Sequence, residues 1–215
     1  MTFVETLQPQ AVWSHFDRIL AIPHGSGEEA RIRDYVVEVA KRNGLEYEVD
    51  RAGNVVVRKP ATAGKEGAPP VVLQSHLDMV NDKNADVQHD FSKDPIQPRR
   101  DGEYLTASGT TLGADNGIGV AAMLAVMEAK DLVHGPLDFL FTVDEETGLT
   151  GAQALSGQML RGRKLLNLDT ENQNELSIGC AGGGNSILTL PLETEPAQGS
   201  KALRLVLRGL QGGHS

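Results

Sequence analysis

Apolar residues recur at helical spacing in two segments near the start of the chain, residues 9–23 and 26–44. A period of about 3.6 residues places such side chains on one face of a helix, which can then pack on a core. Ser26 followed by Glu29 has the spacing of a capping box at the start of the second helix. Gly44 suits the end of that helix, since glycine accepts the left-handed conformation that follows a last turn. The pattern therefore predicts two amphipathic helices joined by a short turn.

Short apolar runs between turn-forming residues predict strands farther along the chain. They lie at residues 45–49, 55–57, 71–73, 104–108, 137–143, 165–168 and 176–178. Segments 116–130 and 150–160 predict helices between some of these strands. Strands that alternate with helices indicate an α/β fold. We therefore expect a mixed, mostly parallel sheet with helices on both faces.

The pattern changes after the glycines at residues 182–184. Residues 187–190 and 203–207 predict two further strands, and no helical pattern follows them. Two strands alone are only marginally stable in water. We therefore expect residues 1–184 to form one domain and residues 185–215 to begin a second, truncated domain. The alternative is a chain that ends naturally in an exposed hairpin.

The composition is typical of a soluble globular protein, with 40% hydrophobic and 23% charged residues. The net charge of -9, from 20 basic and 29 acidic residues, argues against nucleic acid or an anionic membrane as the main partner. Cys180 is the single cysteine, which excludes an internal disulfide and indicates a reducing compartment. Residues 1–5 lack the features of a signal peptide, and no apolar run approaches the ~18 residues of a membrane span. We therefore expect a cytoplasmic protein.

Acids and one histidine follow the predicted strands, where a strand ends or the loop beyond it begins. These residues are His76, Asp78, Asp115, Glu145, Glu146 and Asp169. In open α/β sheets, ligands bind at the edge formed by the carboxyl ends of the strands. Burying several carboxylates together is very costly unless cations accompany them. These side chains are therefore either scattered and solvated, or held together by divalent metal ions.

Each of these groups also has a simpler interpretation. Asp115 precedes an apolar helix, and aspartate is common at a helix N-cap. His76 and Asp78 can be polar residues at a strand end, whereas the acids at 144–146 and Asp169 can belong to solvated turns. In favour of metal binding, a carboxylate beside a histidine strengthens that histidine as a ligand. In adjacent acids, one can bind a metal while the other accepts a proton.

The remaining chemically active side chains carry less information. His24, His89 and His134 lie in turn or polar segments, and we assign them no role. Cys180 is more typical of a buried structural thiol than of a nucleophile. The chain has no Gly-x-Ser-x-Gly sequence, no P-loop and no complete dinucleotide fingerprint. Serine-hydrolase and nucleotide-binding functions are therefore not indicated.

Four motifs, in their order along the chain, resemble those of the M20 family of zinc aminopeptidases and carboxypeptidases. They are His76-Leu77-Asp78, Gly113-Ala114-Asp115-Asn116-Gly117, Glu145-Glu146-x-Gly148 and Asp169. Segments within residues 58–64, 89–98 and 178–183 are further similar to the aminoacyl-histidine dipeptidases of that family. Each motif is weak alone, whereas the ordered set is specific. The resemblance covers nearly the whole chain, but only the first part of those enzymes.

The resemblance implies a site for two divalent metal ions, zinc with cobalt or manganese as alternatives. Asp115 would bridge the two ions. His76 and Asp169 would complete the protein ligands of one ion, and Glu146 would bind the other. The native metal stays open, because mixed imidazole and carboxylate ligands suit several ions.

The resemblance also implies two residues that assist the ligands. Asp78 would orient His76, and Glu145 would be the general base that takes a proton from water and later returns it to the leaving amine. The family often has a cis peptide bond after the bridging aspartate. We therefore expect a cis bond between Asp115 and Asn116.

The second domain of the family is an α+β lid that binds the substrate carboxylate and supplies a histidine that stabilises the oxyanion. His214, within Gly212-Gly213-His214-Ser215, matches the motif of that histidine, which acts across a dimer interface in many relatives. A further histidine ligand for the Glu146 ion follows the lid in the family and lies beyond this chain. The resemblance therefore implies a homodimeric whole protein, and an incomplete second metal site with little activity in these residues alone.

We expect a dipeptidase that hydrolyses unblocked dipeptides and prefers a C-terminal histidine, as in β-alanyl-histidine. An M20 deacylase or tripeptidase is the alternative within the family, and the similarity outside the metal motifs argues against it. A non-catalytic metal-binding or peptide-binding domain is the alternative outside the family. Such a domain would not need a base beside a ligand, as Glu145 stands beside Glu146.

Overall fold

The computed structural model describes residues 2–170, 172, 174–179, 186–196, 199, 201–207 and 209. The chain divides into two units, Met1–Thr170 and Glu171–Ser215. The domain boundary predicted between residues 184 and 185 lies outside the described residues and stays a prediction. All helices and strands of the described residues belong to the first unit.

Helices and strands alternate along the first unit. The helices are α1 (Gln10–Leu20), α2 (Ala30–Arg42), α3 (Ala114–Glu128), α4 (Glu145–Gly148) and α5 (Thr150–Ala154), with 3-10 helices at Phe3–Thr6 and Gly157–Met159. The strands are β1 (Glu46–Val49), β2 (Val55–Lys59), β3 (Val71–His76), β4 (Pro98–Asp101), β5 (Tyr104–Ala107), β6 (Leu137–Thr142) and β7 (Lys164–Asn167). None of the described helices has the length and apolar content that crossing a bilayer requires.

Five of these strands form one sheet in the order β1-β2-β6-β3-β7. β2 pairs antiparallel with both β1 and β6, whereas β3 pairs parallel with both β6 and β7. β4 and β5 form a separate antiparallel hairpin. Parallel strands are usually covered on both faces, which agrees with the nearly complete burial of β6. The expected mixed α/β sheet with a parallel centre is confirmed.

α2 and α3 pack against one face of the sheet, and α1 packs against α3. Val55 and Val57 of β2, with Phe139 and Phe141 of β6, are fully buried in this core. α3 contacts α1, α2 and β3, so it meets protein on several sides. A helix in that position must be apolar nearly all round, which explains the continuous apolar run that follows Asp115. The same packing fixes the first turn of α3 beside the end of β3.

The opposite face of the sheet carries a smaller buried cluster of Val56, Val72, Leu140 and Met159. Leu155 and Leu160 pack against this cluster. The single helix predicted over residues 150–160 is wrong, because α5 ends at Ala154 and a 3-10 turn follows. The backbone of Leu155 is extended (φ -64°, ψ 127°). The chain changes direction here, and Leu160 then packs on this face of the sheet.

The described residues of the second unit contain no helix or strand. The strands predicted at residues 176–178, 187–190 and 203–207 are therefore wrong for this structure. Their apolar side chains are exposed, for example 96% for Ile178 and 98% for Leu203. A strand is stabilised by pairing and by a covered face, and these segments have no partner strand among the described residues.

The buried carboxylate of Asp138 anchors the segment that leads into β7. It accepts hydrogen bonds from the backbone N–H groups of Arg161 (2.7 Å) and Gly162 (3.3 Å) and from the Arg161 guanidinium (2.5 and 2.8 Å). Asp138 lies on β6 and is 0% exposed. These contacts fix the start of β7 against its neighbours in the sheet, and with it the position of Asp169 beyond the other end of the strand.

We expect the change Arg161→Ala to lower the free energy of unfolding by about 3 kcal/mol, because the buried Asp138 carboxylate loses its charged partner. Arg163→Ala is the matched control, since this exposed arginine lies two residues away. It should change the free energy of unfolding by less than about 0.5 kcal/mol. Urea denaturation measures both, and equal losses in the two variants would contradict the anchoring role.

Candidate active site

Four segments of the first unit meet at the carboxyl ends of the parallel strands. β3 ends with His76, β6 leads into the loop 143–151, and β7 leads to Asp169 two residues beyond its end. α3 carries Asp115 in its first turn. Because the three parallel strands run in one direction, residues far apart in the chain come together at this edge.

His76 lies at the centre of the resulting cluster and is 1% exposed. Its Nε2 atom is 3.0 Å from Oδ1 of Asp115 and 3.7 Å from Oδ2 of Asp169. Its Nδ1 atom is 3.0 Å from the backbone carbonyl oxygen of Asp78 and 3.3 Å from the carboxylate of the same residue. When Nδ1–H donates to Asp78, the lone pair of Nε2 faces the other two aspartates, as in a metal-binding histidine.

Asp78 connects His76 to the loop 143–151, which follows β6. Its carboxylate accepts hydrogen bonds from the backbone N–H groups of Glu145 (3.0 Å) and Glu146 (3.1 Å) and from the Ser26 hydroxyl (2.8 Å). Burial opposes the charged form, but His76 and these donors hold the pKa of Asp78 well below its usual range. Asp78 therefore stays ionised and contacts both the histidine and the loop.

The side chains of the cluster lie close enough to share cations. Donor atoms of His76, Asp115 and Glu146 lie within 4.8 Å of one another, as do those of His76, Glu145 and Asp169. Imidazole nitrogen with carboxylate oxygens is a donor set that suits zinc, cobalt and manganese. Four carboxylates around one imidazole also leave an excess of negative charge that divalent ions offset. The residues therefore fit the expected ions, while the role of each residue stays a prediction.

The same crowding shifts the pKa values of the cluster. Burial lowers the pKa of His76, but the carboxylates of Asp78, Asp169 and Asp115 outweigh burial and raise that pKa to about 9. Burial, with the neighbouring charges of Asp115 and Glu145, raises the pKa of Asp169 to about 6, against the opposing effect of the histidine. At neutral pH and without metal, His76 therefore carries a proton that a metal ion must displace.

Asp115 is not the N-cap of α3. Gly113 occupies that position in the left-handed conformation (φ 74°, ψ 24°), while the backbone of Asp115 is extended (φ -84°, ψ 109°). The peptide bond between Asp115 and Asn116 is cis, which confirms that prediction. The interpretation of Asp115 as an ordinary helix cap is therefore wrong, and its carboxylate contacts His76 instead.

The capping box predicted from Ser26 and Glu29 does not form. The Ser26 hydroxyl donates to Asp78, and Oε1 of Glu29 accepts from the backbone N–H groups of Gly27 (2.9 Å) and Asp144 (3.1 Å). Both side chains thus connect the turn before α2 to the candidate site. No local pattern indicates this, because the partners in the site are 52 and 115 residues away in sequence.

Glu29, Asp78 and Asp144 form another group of carboxylates within the same distance limit. The carboxylate oxygens of these three acids accept hydrogen bonds from backbone N–H groups and from hydroxyls. The Asp144 carboxylate, for example, accepts from the hydroxyls of Thr147 and Thr150. These acids therefore support the loop.

His24, His89 and His134 are not part of the cluster. His24 is 2% exposed, and its backbone carbonyl accepts a hydrogen bond from the N–H of Met79 at 3.1 Å. His89 packs edge-on against a phenylalanine, and Nδ1 of His134 lies 2.8 Å from the carbonyl oxygen of the next residue. His214 lies outside the described residues, so its predicted role stays a prediction.

Residues 72–185 match the family described as peptidase family M20/M25/M40. The chain is 50% identical over 217 aligned residues to the cytosol non-specific dipeptidase of Escherichia coli strain K12. That alignment covers 100% of this chain and 44% of the relative. The similarity therefore extends through every segment that contributes to the cluster.

Two solved structures are similar to most of the chain. The aminoacylhistidine dipeptidase of Vibrio alginolyticus superposes with a TM-score of 0.78 at 50% identity, over 80% of this chain and 35% of that one. A tripeptidase of Staphylococcus aureus superposes with a TM-score of 0.65 at 27% identity, over 77% of this chain and 44% of that one. The chain thus spans less than half the length of these relatives.

We expect the affinity of the metal-free protein for Mn²⁺ to rise between about pH 6 and pH 9. Below the pKa of His76, near 9, binding must release its proton, and this competition weakens as the pH approaches that value. Calorimetry in buffers of different ionisation enthalpy measures both affinity and proton release. His134→Asn, outside the cluster, should keep the pH dependence of the unchanged protein. An affinity that stays constant across this range would contradict His76 as a ligand.

Proposed function

The chain belongs to peptidase family M20/M25/M40, and from this membership we propose that its protein is a metal-dependent dipeptidase. The proposal is supported by 50% identity, across the whole chain, to a protein named as a dipeptidase. Because the chain spans only 44% of the length of that relative, we propose the activity for the complete protein.

The observation that carries this proposal is the convergence of one histidine and four acids at one edge of the sheet. Glu145 and Glu146 are adjacent in sequence and both group with His76, but Glu145 also groups with Asp169 and Glu146 with Asp115. A site that only binds metal needs ligands and no base. Hydrolysis needs a proton acceptor beside the ligands, and two adjacent glutamates with different partners can divide these tasks.

His76 and Asp169 would hold one divalent ion, Glu146 would hold the other, and Asp115 would bind both. We propose zinc, with cobalt and manganese as alternatives that the same donors accept. When bound, such ions polarise a peptide carbonyl and lower the pKa of water toward about 7. Asp78 would keep Nε2 of His76 directed at the ion by accepting the Nδ1 proton.

Glu145 would act as the general base. Its carboxylate would take a proton from the attacking water and deliver it to the amine that leaves. The backbone N–H of Glu145 donates to Asp78, so the residue is held next to the ligand cluster. Its side chain is only partly buried, which leaves it open to substrate and water. A positioned base of this kind contributes roughly 10²–10⁴-fold to a rate.

The finer parts of the function rest on resemblance. We propose unblocked dipeptides as substrates, with a preference for C-terminal histidine, from the likeness to an aminoacylhistidine dipeptidase. We also propose that His214 stabilises the oxyanion from a lid domain that begins near residue 185, and that the complete protein dimerises through that lid. A cytoplasmic location is proposed from the name of the Escherichia coli relative.

Tripeptidase activity is the alternative with a specific observation in its favour. A tripeptidase of Staphylococcus aureus superposes with a TM-score of 0.65, although its identity is 27%. The 50% identity to two proteins named as dipeptidases favours dipeptides. Rates on β-alanyl-histidine, other dipeptides and tripeptides would separate the two activities.

We expect Glu145→Gln in the complete protein to lower kcat for dipeptide hydrolysis about 10³-fold, because an amide cannot accept the proton. Metal content should stay unchanged, since Glu145 is not among the proposed ligands. Glu103→Gln, an exposed glutamate in the turn between β4 and β5, is the control and should retain activity. Retained activity in Glu145→Gln would remove the proposed base, and activity that survives a strong chelator would remove the metal.

We expect the 215-residue chain by itself to bind metal at His76 and Asp169 first, and to turn over dipeptide far more slowly than the complete protein. The reason is that the family resemblance places a further histidine ligand of the Glu146 ion outside these residues. Metal stoichiometry and hydrolysis rates of both forms are the measurements. A rate for the 215-residue chain equal to that of the complete protein would contradict this expectation.

A further inference from the structure

The loop 143–151, which we call the acidic loop, carries Glu145 and Glu146 and has an irregular backbone. Asp144 (φ 54°, ψ 47°) and Leu149 (φ 56°, ψ 29°) are both left-handed, although neither is glycine. Such residues are uncommon in this conformation and cost free energy relative to ordinary backbone. The loop therefore needs contacts from outside itself to keep its two glutamates in place.

Asn54 makes contacts of this kind at both ends of the acidic loop. Its Oδ1 accepts a hydrogen bond from the N–H of Val143 at 3.1 Å, and its Nδ2 donates to the carbonyl oxygen of Gly151 at 2.8 Å. The N–H of Gly151 also donates to the carbonyl oxygen of Val143 at 3.2 Å. One side chain thus binds the residue where the loop leaves the sheet and the residue where α5 follows.

The close packing at Gly151 leaves no space for a side chain. A Cβ atom at this position would lie 2.4 Å from the carbonyl oxygen of Val143 and 2.5 Å from Oδ1 of Asn54. Contacts of that length are far inside van der Waals separation. Glycine is therefore required for the ends of the loop to approach each other and Asn54 at the same time.

Asn54 is itself held in place by Asp50 and by the start of β2. It is 0% exposed and immediately precedes β2, which pairs with β6. Its Nδ2 also donates to Oδ2 of Asp50 at 2.7 Å, so both of its amide hydrogens have acceptors. Oδ1 of Asp50 accepts from the N–H groups of Gly53 and Asn54, each at 2.9 Å. The amide is thus held rigidly by the sheet and by its own turn.

We propose that Asn54 is a positioning residue that holds both ends of the acidic loop and thereby sets the positions of Glu145 and Glu146. Asp78 holds the middle of the loop through the N–H groups of the two glutamates, and Glu29 holds Asp144. Asn54 closes the loop at its ends. This inference rests on the proposed function, because it assigns Asn54 an effect on the base and on one metal ligand.

The test compares Asn54→Ala with the unchanged complete protein at a temperature where both are folded. A displaced base should lower kcat about 10- to 100-fold, while KM changes less than about threefold, since misplacement by about 1 Å can cost 10²-fold in rate. Hydrogen exchange in a peptide that spans the acidic loop should accelerate. Asn54→Ser is too short to contact both Val143 and Gly151 and adds no charge beside Asp50, so it answers the question if the alanine variant does not fold.

Asn43→Ala is the matched control. This asparagine also donates through its side-chain amide to a backbone carbonyl, that of Val39 at 2.9 Å, but at the end of α2 away from the loop. It should lower stability without changing kcat or exchange in the acidic loop. If an Asn54 variant loses stability and keeps the kcat and loop exchange of the unchanged protein, Asn54 is only a structural residue and the proposal fails.

The two proposals fail in distinguishable ways. An unchanged protein that is inactive with metal, or active after Glu145→Gln, overturns the proposed function. Hydrogen exchange still decides whether Asn54 holds the loop in that case, because this measurement does not depend on activity. An active protein that needs Glu145 but retains full kcat without Asn54 overturns only the positioning role.

Discussion

Negative charge crowded around one buried histidine is the constraint on which the rest of the structure depends. The carboxylates of Asp115, Glu145, Glu146 and Asp169 lie within a few ångströms of His76, Glu145 grouping with Asp169 and Glu146 with Asp115. Burial, together with repulsion from Asp115 and Glu145, raises the pKa of Asp169 to about 6, whereas the carboxylates raise the pKa of His76 to about 9 against the opposing effect of burial. Such a cluster is stable only with bound cations, whether protons or metal ions.

The acids near this cluster separate into two classes according to what their oxygens contact. Acids of the first class group with His76 within the distance that a shared metal ion requires. Oxygens of the second class, on Glu29 and Asp78, accept backbone N–H groups of the acidic loop. An isolated carboxylate of the second class would be costly to bury, but several N–H donors offset that cost. Carboxylates thus form the candidate metal groups and also support the loop, and their contacts distinguish the two uses.

The three consecutive acids at residues 144–146 show how one short segment serves both classes. The left-handed backbone at Asp144 turns the chain sharply as it leaves β6. Asp144 then binds the hydroxyls of Thr147 and Thr150 within its own loop, while Glu145 and Glu146 face the cluster. Three consecutive acids usually lie in a solvated turn. Here Asp144 has partners within the loop, whereas Glu145 and Glu146 have partners in the cluster. Long-range contacts at the ends and middle of the loop maintain this division.

Sequence alone determined the α/β fold, the family and the residues of the cluster, because each of these depends on periodicity or on motif order along the chain. The apolar runs of β6 and α3 reflect burial on several sides, and burial selects residue types locally. His76 and Asp169 follow strands in the sequence, and acids or histidines at the carboxyl ends of strands indicate a site in an open α/β sheet.

Tertiary structure alone decided the contacts between distant residues. Ser26 and Glu29 have the spacing of a capping box, yet they bind partners 52 and 115 residues away. Asn54 has the local features of a simple turn residue, and only the pairing of β2 with β6 places it beside the acidic loop. The physical reason is that a hydrogen bond is chosen by which groups the packed sheet brings within about 3 Å, and neighbours in sequence do not contain that information.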